Sequence, residues 1–169
     1  MSISLYDATV GSFQQNLGGM SGFLDKGRNH YTEHSLDLSE VLETRIFDDM
    51  LPFSYQVIAA VHHSLGAINA ARNGVFSPPQ SDPDCSYEDL QNLVKHAVSE
   101  LAKVTREEIN GFEGKNLEFK AGSYSKSHVA DVFLATLSVP NCYFHTTTAY
   151  NILRMKGVPV GKGDFLNRT

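Results

Sequence analysis

At 169 residues, 41% hydrophobic and 20% charged, the chain is long enough to enclose one hydrophobic core, and it carries a net charge of −5. No cluster of Lys and Arg supplies the footprint of a nucleic-acid-binding surface, and no stretch approaches the roughly 18 uninterrupted apolar residues of a membrane span. One soluble domain covering residues 1–169 is expected, without nucleic-acid or membrane partners.

The N-terminus, Met1 to Asp7, has no basic region followed by an apolar run, so no secretory signal is visible and a cytoplasmic location is the default. Val10, Phe13, Leu17, Met20, Leu24, Gly27 and Tyr31 then recur at spacings of three and four, which predicts an amphipathic helix from about Ser4 to His34. Gly11, Gly18, Gly19 and Gly22 interrupt it, each costing up to about 1 kcal/mol relative to alanine. Close approach of another backbone, in the form of a homodimer partner, is one compensation; tolerated flexibility is the other reading.

Residues 35–51 read as a connector with a short helix around Leu42 and Ile46. It ends in Glu43, Arg45, Asp48 and Asp49, and the three carboxylates among them are favoured by the following helix N-terminus whatever their function. Pro52 suits a first helical turn, and Phe53, Val57, Val61, Leu65 and Ile68 carry a second helix to Asn73-Gly74. On a helical wheel His62 lies about 115° and His63 about 145° from the centre of that stripe, so His62 flanks the interior and His63 faces solvent. His30 and His34, four apart at a helix end, are read as solvated.

Three prolines between Ser77 and Asp84 make a loop. Ser86 and Asp89 form a capping pair, followed by a third helix through Leu90, Leu93, Val94, Ala97, Val98, Leu101 and Val104. Leu117 to Ser125 alternates around Gly122 and predicts a small peripheral β-hairpin. A last helix runs from after Ser127 to Gly157, kinked at Pro140. On it Leu134, Leu137, Asn141, His145, Thr148 and Ile152 share a stripe about 80° wide. Asn141 and His145 therefore enter an apolar interior together and must find polar partners there. A structural polar network and a ligand site, with Thr148 one turn further along, both fit that pattern. Cys85 and Cys142 are expected reduced, and Cys142, turned about 60° from His145, makes a poor nucleophile pair.

The segments Pro140-Asn141-Cys142-Tyr143-Phe144-His145, Ala149-Tyr150, Leu153-Arg154, Gly157-Val158-Pro159 and Gly161-Lys162-Gly163-Asp164-Phe165-Leu166 resemble a bacterial and fungal family known only as a domain of unknown function, placed among the DinB-like proteins. Leu24-Asp25-Lys26, Arg45-Ile46, Asp49 to Phe53 and Gln56-Val57 support the resemblance over essentially the whole chain. It implies an all-α, DinB-like antiparallel four-helix bundle with a short connector helix and a hairpin, usually dimeric. In better-known relatives one histidine on the second helix and a His-x-x-x-His pair on a later one bind a divalent metal, in thiol transferases and hydrolases. Here the pair reads Asn141-x-x-x-His145, and an amide oxygen is a poor donor for zinc or nickel. Three readings stay open. A small polar ligand binds around Asn141, His145 and Thr148; a divalent metal (Zn or Ni) sits on His62, His145 and Asp49; or the protein is a dimeric structural or stress protein with no small-molecule site.

Overall fold

The computed structural model describes residues 3–168. The chain is mostly helical, with one small three-stranded sheet. The first helical stretch divides into α1 (Leu5–Ala8) and α2 (Val10–Glu33) at Thr9, whose hydroxyl turns back to the Leu5 carbonyl at 2.7 Å. All seven residues of the predicted stripe on α2 are buried. In the connector, α3 (Ser39–Leu42) is a single turn, and Ile46 lies outside it.

The second long helix is α4 (Phe53–Val61), a π-helical turn over His62–Gly66, and α5 (Ala67–Asn73). Gly74 ends it at φ +78°, a left-handed stop that a side chain resists. Next comes β1 (Val75–Phe76), a strand too short to show alternation in the sequence. Ser86 and Asp89 cap α6 (Tyr87–Leu101) reciprocally, as their spacing predicts. After α7 (Arg106–Asn110), β2 (Asn116–Ala121) and β3 (Tyr124–Val129) pair antiparallel around Gly122-Ser123. The predicted pair of strands gains a third, because β1 joins β2 in parallel.

The last long helix is α8 (Ala130–Phe133), a second π-helical turn over Leu134–Ser138, and α9 (Val139–Met155). Pro140 sits in the first turn of α9. It removes one donor from the ladder, and the widened turn just upstream is where the register changes. The chain closes with α10 (Lys162–Phe165). No helix among the described residues is long and apolar enough to cross a membrane.

The long helices do not simply alternate in direction. α2 and α6 run antiparallel, since Leu24 meets Tyr87 while Gln14 meets Leu101. α4 and α9 also run antiparallel, Gln56 meeting His145 and Ser64 meeting Cys142. α4 and α6 instead run parallel: Phe53 stacks on Tyr87 at both starts, and Leu93 shares a groove with Val61, Leu65 and Asn69. Two parallel neighbours need a return path, and residues 74–86 supply it. This corrects the uniformly antiparallel arrangement read from the sequence, which treated that segment as a plain loop.

Two glycines of α2, Gly18 and Gly19, face the C-terminal segment of the chain. A Cβ at Gly19 would collide with the carbonyls of Asp164 and Phe165, and one at Gly18 with the Asn167 side chain. The close approach that those glycines permit is therefore made within the chain. α10 is held there by Asp164, which is buried, accepts from the Gly161 amide at 2.8 Å and pairs with Lys26 at 2.5 Å. Around Gly22, by contrast, a Cβ would meet nothing within 4 Å. Gly19→Ala is expected to lower stability by about 1–3 kcal/mol through overpacking, and Gly22→Ala to raise it by about 0.5–1 kcal/mol through helix propensity. Urea midpoints check both; equal effects at the two sites would refute the close-packed α10.

Candidate functional site

The enclosed second helix puts polar side chains into the interior. Ser54, Gln56, His63 and Ser64 are all buried on it. Gln56 and His63 are seven residues apart, two helical turns, so they share a face. That face meets α9, where His145 lies between them.

Gln56 fixes the state of His145. Its Nε2 donates to the Leu51 carbonyl at 2.7 Å, so its Oε1 is the end turned to His145 Nδ1, 2.8 Å away. An amide oxygen only accepts, so Nδ1 carries the proton and donates, and His145 Nε2 keeps a bare lone pair. Burial pushes His145 down to about 4, which keeps the ring neutral at ordinary pH.

His63 stacks on His145, with ring centroids 5.7 Å apart and planes 15° from parallel. It is 6% exposed, contrary to the solvent-facing placement read from the wheel. The wheel assumed one apolar stripe, whereas this helix is covered by α6 on one side and by α9 and β1 on others. Burial, reinforced by His145 and His62, pushes His63 down to about 3. Its Nδ1 is buried without a hydrogen-bond partner. Asn16, Ser138 and Thr146 also carry such atoms, but of these residues His63 alone lines the cleft described next.

That cleft has a volume of about 300 Å3 and lies between α4, α9, the sheet and the proline loop. It is lined by Tyr55, His63, Asn141 and His145 from the helices and by Phe76, Phe119, Pro78 and Pro79 from the sheet and the loop. Phe76 on β1 joins the two sets, packing on His62, His63, Phe119 and Phe133 with centroids 4.8 to 5.9 Å apart.

The structure thus brings Asn141 and His145 together, as their spacing predicts. Asn141 Nδ2 donates to the Leu137 carbonyl of its own helix at 2.8 Å. Thr148 is buried, but its hydroxyl donates to the Phe144 carbonyl and it does not line the cleft. His62 points the other way: its ring rests over Gly66, and Nε2 donates to the Ser77 carbonyl at 2.6 Å. Asp49 is exposed on the connector. Tyr55, Gln56, His63 and Phe76 escaped the sequence reading, although the seven-residue spacing of Gln56 and His63 was a usable signal.

The donors present do not fit the metal centre that the resemblance implies. No three His, Cys, Asp or Glu side chains converge among the described residues. His62 and His145 are engaged on separate partners, and His63 and His145 offer two imidazoles with no carboxylate beside them in the cleft. Cys142 is fully buried, and burial pushes its thiol up to about 12, so it is not a nucleophile at neutral pH.

The arrangement of these helices is similar to that of a DinB family member. The crystal structure of a DinB family member protein from Shewanella denitrificans matches with a TM-score of 0.78 and 25% identity, over 96% of this chain and 91% of that one. Residues 5–166 match the family described as a domain of unknown function (DUF1993), and the chain belongs to that family. No curated protein matches it.

Because both cleft histidines titrate below 6.5 in the fold, the unfolded chain takes up protons that the folded one refuses as pH falls from 6.5 towards 4. Stability is expected to be constant above that window and to fall through it, by about 1.4 kcal/mol per pH unit per histidine. His63→Phe keeps a ring in the stack and removes one proton, so its denaturation midpoint should fall less steeply between about pH 6.5 and 5; a slope equal to wild type would refute the buried neutral state. His145→Ala leaves the buried Gln56 oxygen unpaired and should cost about 1–3 kcal/mol. An unchanged midpoint would show that the Gln56–His145 bond is absent.

Proposed function

We infer that this protein binds a small molecule in the cleft beside Asn141 and His145, and that it does so through hydrogen bonds and aromatic contact rather than through a metal ion. The observation that carries the reading is the Gln56–His145 hydrogen bond, which locks one imidazole as a neutral acceptor on the wall of a cleft. A histidine serving structure alone has no need of an open space of ligand size against its ring. Apolar clefts of about 300 Å3 with a few convergent polar groups are the usual form of small-ligand sites.

The test is a fragment screen by ligand-observed NMR against wild type and against Asn141→Phe, which fills the cleft. Fragments that bind wild type and lose binding to the filled variant are expected. A screen with no cleft-dependent binder refutes the reading. Elemental analysis of protein purified without a metal-binding tag should find less than about a tenth of an equivalent of any transition metal. A stoichiometric metal lost in both His62→Ala and His145→Ala would overturn the metal-free mode and restore the metal-dependent transferase or hydrolase.

A further inference from the structure

We propose that the ligand of this cleft is a flat, uncharged heteroaromatic ring bearing an N–H group, seated against the aromatic walls with that N–H donated to His145 Nε2. The inference rests on the ligand-binding reading above and specifies its chemistry.

Three observations carry it. The first is charge: among the described residues, no Lys, Arg, Asp or Glu lines the cleft. An anion would leave water without a counter-charge, and a cation would find ring faces and no carboxylate to hold it. The second is the polarity of the available groups. His145 Nε2 is an acceptor because Nδ1 is committed to Gln56. Asn141 Nδ2 is committed to the Leu137 carbonyl, which leaves Oδ1 unengaged one helical turn away. The Tyr55 hydroxyl turns either way. The residues of α9 thus ask the ligand for donors. The third is shape. Tyr55, His145, His63, Phe76 and Phe119 form a continuous series of ring contacts, with successive centroids 5.3 to 6.0 Å apart. Rings so disposed receive another ring by edge or offset stacking, and about 300 Å3 accommodates one or two fused rings.

Indole and 1-methylindole share this shape and differ in the N–H, so the pair isolates the hydrogen bond. Benzylammonium and benzoate supply the two signs of charge. Each is titrated into uniformly 15N-labelled protein near pH 7.5, with the imidazole nitrogens of His63 and His145 followed in long-range 1H–15N spectra. Indole is expected to shift His145 Nε2 and to bind roughly tenfold tighter than 1-methylindole, the worth of one unpaired buried hydrogen-bonding group. In His145→Phe the two affinities should become equal. Because the wild-type comparison stands without the variant, a His145→Phe chain that fails to fold leaves the test intact. Equal binding of indole and 1-methylindole in wild type, with shifts at either histidine, overturns the N–H ligand and keeps the cleft. Tighter binding of benzylammonium or benzoate than of indole overturns the uncharged ligand. If none of the four moves either histidine, the proposal and the ligand-binding reading fail together.

Discussion

Everything distinctive in this protein follows from a second helix enclosed by its neighbours. Phe53, Val57, Ala60, Val61, Ala67 and Ile68 lie in the core, yet so do Ser54, Gln56, His63 and Ser64 of the same segment. A helix at the edge of a bundle turns its polar residues to water; an enclosed one must satisfy them inside. Ser64 does so by turning back to the carbonyls of Ala60 and Val61. Gln56 does so by bridging the Leu51 carbonyl and His145. His63 is not fully satisfied, and it is the residue that lines the cleft. The π-helical turn beginning at His62 lies at the same place, in line with the tendency of such turns to mark functional segments.

Much of the fold was legible because four segments obey helical periodicity and the cap at Ser86 and Asp89 has a local physical cause. The family, too, was legible in the C-terminal motif, and the match over residues 5–166 agrees with it. What escaped has a common origin in contacts between distant segments. Phe76 belongs to a two-residue strand that exists only because β2 lies beside it. The direction of α6 depends on the path taken by residues 74–86. His63 looked exposed because a wheel describes one helix and not the neighbours that cover it. His145 was found by the same method although it stands at the edge of its predicted stripe and is half-buried, because the buried side of α9 turns towards Cys142, Thr146, Ala149 and Leu153.

The donor set also shows how a bundle of this kind can keep a cavity while changing what the cavity recognises. In the metal-binding pattern that the resemblance implies, imidazoles converge on a cation. Here one imidazole is paired with an amide, another stacks flat against it, and an asparagine stands where a second histidine of the motif is expected. Amides and stacked neutral rings present lone pairs and faces singly. Such a surface suits directional hydrogen bonds and planar contact more than coordination.

The seat of α10 on Gly18 and Gly19 has a consequence for synthesis. α2 leaves the ribosome well before Asp164, its partner through Lys26, which lies 138 residues later. Until those residues emerge, the small-residue groove of α2 lacks its occupant from α10, and the loop that must close spans 138 residues. Apolar surface waiting in this way is open to mispairing and invites chaperone binding. The glycines that tighten the finished molecule thus prolong the interval in which a nascent chain is exposed to the wrong neighbours.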